Sequence, residues 1–331
     1  MQLLETLNSF LDKRGFNGEI LISIANEVIL KKGYGFASFE HNVPNTADTV
    51  MRIASITKQF TAACILKLYE DGLLDLNDLL MKYIPDFIQA DKITIHHLLS
   101  NSSGIANFEL EMDFYPFTTS DNVAKALIDY IKDKPLLFEP GSKFNYSISG
   151  YLVLQYIIEI VSKQDFESYL KKTFLKKLGM LDTGFDFPNR VVRNKASCYK
   201  ITDGLIECAD YIDMRIAGGG GGLYSTVMDL YKWNKSLLTH QILKEETIKK
   251  MIEPHIKADE VNSYGYGTII ANSEVNGHDI VKYYHPGGGN GVRSFNTYYP
   301  QIEVQVILIS NVEDVKTFER VRKGIDQILW K

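Results

Sequence analysis

The sequence predicts an α+β fold, an antiparallel sheet flanked by helices with a mostly helical subdomain inserted. Two observations carry this. Short alternating apolar and polar runs occur near both ends of the chain, and helical periodicity fills the middle. Strands so far apart in sequence must complete one sheet, and no repeat or low-complexity linker divides them. The sheet-bearing part is expected at about residues 1–60 and 211–331, and the helical part at about 61–210, within a single domain spanning 1–331.

In chain order, residues 1–11 read as an amphipathic helix. Residues 19–24 and 27–34 alternate and read as antiparallel strands joined at Asn26. A helix over 55–72 follows, with an apolar stretch at 59–66 and Gly72 as its C-cap. Segments 93–100, 121–132, 149–162 and 165–178 carry helical periodicity, punctuated by Pro85, Pro116, Pro135 and Pro140. Cys198 and Cys208 flank a hairpin that turns at Asp203-Gly204, and a helix over 227–238 follows the run Gly218 to Gly222. Strands are then expected at 263–271, 279–285, 292–299 and 303–310, and a closing amphipathic helix at 315–330.

Composition excludes several function classes. At 331 residues, 45% hydrophobic and 23% charged, with net charge −5, the chain reads as an ordinary soluble globular protein. Its one dense basic patch, Lys171, Lys172, Lys176 and Lys177, shares a helix with Phe166, Leu170, Phe174 and Leu178 on the other face. A solvated helix face explains that pattern better than a nucleic-acid surface. No apolar run is long enough for a membrane span. The N-terminus lacks a signal-peptide pattern, so the chain as given reads as cytoplasmic, an exported mature form with an added Met being the alternative. Three cysteines build no disulfide framework, and the hairpin register turns Cys198 and Cys208 to opposite faces. His96 and His97 lack metal-helix spacing, so neither a metal nor an organic cofactor is expected. The Gly218 to Gly222 run has no following Gly-Lys-Ser/Thr and reads as close packing at a strand-to-helix junction. Nothing in the sequence sets an oligomeric state.

Chemistry concentrates in three segments: Ser55-Ile56-Thr57-Lys58, Tyr146-Ser147 and His285-Pro286-Gly287. Three residues apart on a helix, Ser55 and Lys58 share a face. A Ser hydroxyl beside a Lys amine becomes a nucleophile when burial keeps that amine neutral. Tyr146 can carry the proton to a leaving group, and a Gly-rich strand edge can supply a backbone N–H for an oxyanion. Spacing alone is weak evidence, because Ser168 with Lys171 and Ser197 with Lys200 fit it too, and Ser55 could be merely an N-cap. What separates the first match is its place at the start of an apolar helix, where the dipole favours a developing anion.

These residues and their neighbours resemble the serine β-lactamase and penicillin-binding protein superfamily, in its class C β-lactamase-like branch, which includes esterases and D-amino-acid peptidases. The matching stretches are Ile53 to Lys58, His97 to Gly104, Phe138 to Ser147, Leu178-Gly179-Met180, Gly221 to Thr226 and His285 to Gly288. They span roughly residues 15–310 in the family's order. The resemblance implies a β-lactamase/DD-peptidase-like fold with the active site between its two parts. It implies Ser55 as acylated nucleophile, Lys58 as activator, Tyr146 as proton relay, and His285 where β-lactamases usually keep a Lys. The oxyanion hole would be the N–H groups of Ser55 and Gly288, with Ser147, Ile148 and Gly287 in the substrate-binding set.

Two departures shape the functional expectation. The family's second motif usually ends in Asn, which hydrogen-bonds the substrate's acylamide; here the residue is Ile148, whose side chain can neither donate nor accept. His285 replaces a permanent positive charge with an imidazole. An active-site-serine hydrolase of small esters, amides or lactams is therefore expected, with esterase-like activity favoured over β-lactamase or DD-peptidase. The alternatives are a penicillin- or peptidoglycan-binding protein that acylates without efficient turnover, and an acyltransferase. Phe114, Tyr115 and Phe117 either line the substrate cleft or pack within the helical part.

Overall fold

The alternation near the N-terminus forms the predicted hairpin. In a computed structural model that describes residues 2–108 and 113–331, β1 (Gly18–Ile24) pairs antiparallel with β2 (Glu27–Tyr34). Ala25 and Asn26 both take positive φ at the turn, +48° and +63°, as a tight hairpin turn with native twist requires. Six more strands come from the C-terminal third: β3 (Ile256–Lys257), β4 (Asn262–Tyr264), β5 (Ile269–Val275), β6 (His278–Gly289), β7 (Val292–Tyr299) and β8 (Val304–Ser310). The eight form one antiparallel sheet in the order β3-β4-β5-β6-β7-β8-β1-β2. Pairing of Glu19 with Ile309 closes the seam between the two ends of the chain.

Six of the helices pack on the sheet or on one another: α1 (Gln2–Leu11), α2 (Thr57–Glu70), α3 (Ile148–Ser162), α4 (Val227–Leu238), α5 (Glu245–Ile252) and α6 (Val315–Leu329). Strand alternation divides the core between them. Ile20, Ile22, Val306 and Leu308 pack with Leu7 and Leu11 of α1 and Phe318, Val321 and Ile325 of α6. Leu21, Ile307 and Ile309 face the other way, into the cluster that holds α2, α3 and α4. Eleven of the fourteen α2 residues are buried, so this helix has no solvent face and works as a central strut. Phe60 of α2 stacks on Trp233 of α4 at 4.1 Å between ring centroids.

The α+β expectation holds, and the differences are local. Met1, included in the expected first helix, lies outside the described residues. The strand expected at 263–271 is instead two strands, β4 and β5, folded back on each other with Ser263 opposite Ile270. Gly265 and Gly267 make the reversal; Gly267 has φ +65°, and a Cβ there would stand 2.6 Å from the Lys58 carbonyl oxygen. The helix expected at 165–178 contains a π turn at Lys171–Leu175, and that at 93–100 shortens to Ile95–Leu99, opened by a capping box from Thr94. Helix α5 is an addition to the expected elements. Its signals are two acids in the first turn, two lysines in the last, and Ile248, Met251 and Ile252 on one face. The hairpin Tyr199–Thr202/Leu205–Cys208 has the expected register, Tyr199 opposite Cys208, and all three cysteines are free. No helix among the described residues is long and apolar enough to cross a membrane.

Candidate active site

Ser55 is presented by a strained turn. The short strand Met51–Arg52 pairs with Leu223–Ser225 and runs into a 3-10 turn, Ala54–Ile56, ahead of α2. Ala54 takes φ +45°, a left-handed conformation costing an L-residue about 1 kcal/mol or more. Two bonds to Ile53 hold it there: its N–H donates to Leu223 O at 3.0 Å, and its carbonyl accepts from Ser294 Oγ at 2.8 Å. The expectation of a helix beginning at Ser55 is thus corrected to a separate turn. Ser55 stays half-buried and open to a cleft, while Ile56, Thr57 and Lys58 point inward.

Lys58 is fully buried, with Nζ 3.4 Å from Ser55 Oγ. It donates to the Gly220 carbonyl at 2.7 Å and lies 4.5 Å from the centroid of the Tyr146 ring. Burial lowers its amine from 10.5 to about 7. Near neutral pH a large fraction is therefore uncharged, and the N–H to Gly220 leaves a lone pair free to accept a proton.

Tyr146 comes just before α3, and its position is set by side chains distant in sequence. Ser147 caps the helix, its Oγ accepting from Gly150 N at 2.9 Å. Asn107 Oδ1 accepts from Ser147 Oγ, Ile148 N and Ser149 N at 3.1, 2.8 and 3.2 Å, and Asn107 Nδ2 donates to Tyr146 O at 3.0 Å. Sequence reasoning missed Asn107; its only signal was an Asn in a loop, with partners some forty residues away. Burial raises the Tyr146 phenol above its ordinary value, against a smaller lowering by the Ser55 hydroxyl, so it remains protonated near neutrality.

His285 is fully buried behind Tyr146, with 6.1 Å between ring centroids. Its Nδ1 lies 2.7 Å from the Pro286 carbonyl, which only accepts, so Nδ1 carries the hydrogen. Nε2 then accepts from the Tyr264 hydroxyl at 3.1 Å. Burial and the neighbouring Lys58 lower this imidazole to about 3, keeping it neutral. With both nitrogens engaged, it offers a substrate no free donor. Ser147, expected in the substrate-binding set, is 2% exposed with its hydroxyl committed to the cap.

Gly287 lies beneath the Ser55 turn rather than along the cleft. A Cβ on it would stand 2.2 Å from Ser294 Oγ, 2.6 Å from Ile53 O and 3.1 Å from Ser55 N. Gly287→Ala is expected to destabilise the protein by about 1–3 kcal/mol, read as a lowered Tm; an unchanged Tm would mean that β6 yields at no cost.

Ser55 and Gly288 share a cleft of about 310 Å³ whose walls include Phe108, Phe114, Ile148, Met214 and Ile216. Phe114 thus takes the first of its two expected places. Tyr115 is 73% exposed, and Phe117 packs edge-on against Tyr130. Among the described residues Arg52 is the one charged side chain in the cleft, and its Nε donates to Asp186 at 2.7 Å. A hydroxyl beside a buried neutral amine and a protonated phenol, at an apolar cleft, suits acyl transfer to serine. Among the described residues no group of three or more His, Cys, Asp or Glu side chains could hold a metal.

A family model described as Beta-lactamase matches residues 7–328. A provisionally assigned penicillin-binding protein, PbpX, of Bacillus subtilis (strain 168) is 28% identical over 326 residues, covering 98% of this chain and 78% of that protein. Two solved structures share the architecture. An octameric penicillin-binding protein homologue from Pyrococcus abyssi superposes with TM-score 0.86 at 29% identity, covering 99% of this chain and 78% of that one. A penicillin-binding protein from Bacillus halodurans superposes with TM-score 0.84 at 25% identity, covering 97% and 99%.

Proposed function

The chain belongs to the β-lactamase family of serine hydrolases, and we propose that within it this protein hydrolyses small uncharged esters through an acyl-enzyme on Ser55. The observation that carries the substrate class is the cleft: mostly apolar walls, Ile148 in the same lining as Ser55, and, among the described residues, a single cation, already paired with Asp186. An acylamide placed against Ile148 meets an apolar side chain there, a loss of about 1–3 kcal/mol when that amide is buried, although Asn290 and Tyr211 also belong to the lining. A substrate carboxylate finds no unpaired positive charge among the described residues of the cleft. A neutral ester needs neither.

In this reading Ser55 Oγ attacks the carbonyl carbon as neutral Lys58 takes its proton, and the C=O π bond opens to an oxyanion. The N–H groups of Ser55 and Gly288 receive that oxyanion; one such donor is typically worth about two to three orders of magnitude in rate. Tyr146 stays a phenol near neutrality, which fits a relay that passes Lys58's proton to the departing alkoxide rather than an independent base. Water then attacks the acyl-enzyme by the reverse proton path. His285, held by Tyr264 and Pro286, acts as a positioning residue behind the Tyr146 ring.

The test compares turnover of an aryl butyrate, a chromogenic cephalosporin and a D-alanyl peptide by the native protein and by Ile148→Asn. The native protein is expected to prefer the ester, and the substitution to move the amide-to-ester ratio about ten- to hundredfold towards the amide substrates. Cephalosporin turnover far above ester turnover in the native protein would overturn the preference. The names of its relatives favour a second reading, acylation by β-lactams without efficient release. That outcome would appear as a long-lived cephalosporin adduct in intact mass with little ester turnover.

A further inference from the structure

The end of α4, helix α5, Gln59 of α2 and the sheet line a second cavity of about 250 Å³. Leu237, Leu238, Ile248, Met251 and Ile252 form its apolar walls, and it shares no lining residue with the Ser55 cleft. Its floor is polar and ordered. Asn234 and Asn296 exchange hydrogen bonds at 2.6 and 2.8 Å, and Asn296 Nδ2 also donates to Gln59 Oε1 at 3.0 Å. Both Nδ2 hydrogens of Asn296 are thereby used.

Gln59 is different. It is 94% buried by its 6% exposure, it lines the cavity, and its Nε2 amide donates to no protein group among the described residues. That amide borders the cavity, so a carbonyl oxygen placed there can accept from it. In the lining Glu245 and Lys249 pair at 2.7 Å and offset each other, which leaves His240 as its other basic side chain among the described residues and no unpaired carboxylate or ammonium to select a charged ligand. The volume lies below the range of about 300–1,000 Å³ usual for drug-sized ligands.

We propose that this cavity is a second small-molecule site, taking a neutral, mostly apolar molecule of one ring or a short chain whose carbonyl oxygen accepts from Gln59 Nε2. The site is separate from the proposed ester chemistry: Gln59 follows Lys58 in sequence, but the cavity and the Ser55 cleft have no lining residue in common.

The probe is 4-phenyl-2-butanone, titrated by calorimetry into three proteins: native, native with Ser55 blocked by an aryl fluorophosphonate, and Ile252→Trp, which fills the cavity from its rim. Saturable binding to the native protein, equal within twofold after Ser55 is blocked and at least tenfold weaker in folded Ile252→Trp, is the expected result. Absence of saturable binding at millimolar ketone, loss of binding on blocking Ser55, or full affinity in the folded variant would each overturn it. Leu238→Trp fills the same space from α4 and replaces Ile252→Trp in the comparison should the latter not fold.

Discussion

Ser55→Ala is expected to reduce aryl-ester turnover by about four to six orders of magnitude, the range seen when a serine nucleophile acting as part of a unit is removed. The side chain is small and half-exposed, and what holds the turn is Ile53, bonded to Leu223 and Ser294. The variant should therefore keep its fold and Tm while losing activity. It tests the role rather than the scaffold. Turnover within tenfold of the native protein would remove Ser55 from the chemistry and with it the reading of Lys58 and Tyr146 as its partners.

The second large effect is in pH. The amine that takes the Ser55 proton must be neutral, and Lys58 titrates at about 7 in the folded protein because it is buried. Below that value the amine is protonated and has no lone pair, so kcat/KM should fall about tenfold per pH unit on the acid side. Above it the rate should level. The other groups nearest the nucleophile do not blur this limb: His285 is already neutral above about 3, and the Tyr146 phenol is shifted upward, away from neutrality. Lys58→Arg keeps a cation but cannot deprotonate. It is expected to lower kcat/KM by about two to four orders of magnitude, the usual worth of a general base, and to abolish the limb near pH 7. A native profile flat from pH 5 to 9, or an unchanged limb in Lys58→Arg, would mean another group is the base.

What the sequence made legible, and what it hid, follows from how local each feature is. The hairpin at residues 18–34 could be read because alternation and a turn-forming Asn26 are encoded within a few residues. Ser55 and Lys58 could be paired because their spacing, together with an apolar helix, is a short-range pattern. The burial that lowers Lys58 could be stated only as a condition; it comes from α2 being covered on all sides by elements from distant parts of the chain. Asn107 escaped notice for the same reason, since its four bonds join segments some forty residues apart. His285 was visible as a residue type, but its neutral, fully bonded state depends on Tyr264, which lies in the strand run that proved to be a hairpin. The left-handed Ala54 has no sequence signature, because alanine is not a residue that favours that conformation.

The most direct test of an acyl-enzyme at Ser55 is stoichiometric labelling with an aryl fluorophosphonate, followed by peptide mapping and ester assay of the same sample. The account predicts one label per chain, on Ser55, with aryl-butyrate turnover falling in proportion to the labelled fraction and no labelling of Ser55→Ala. Full labelling of Ser55 with ester turnover intact, or inactivation with the label on another side chain, would contradict it.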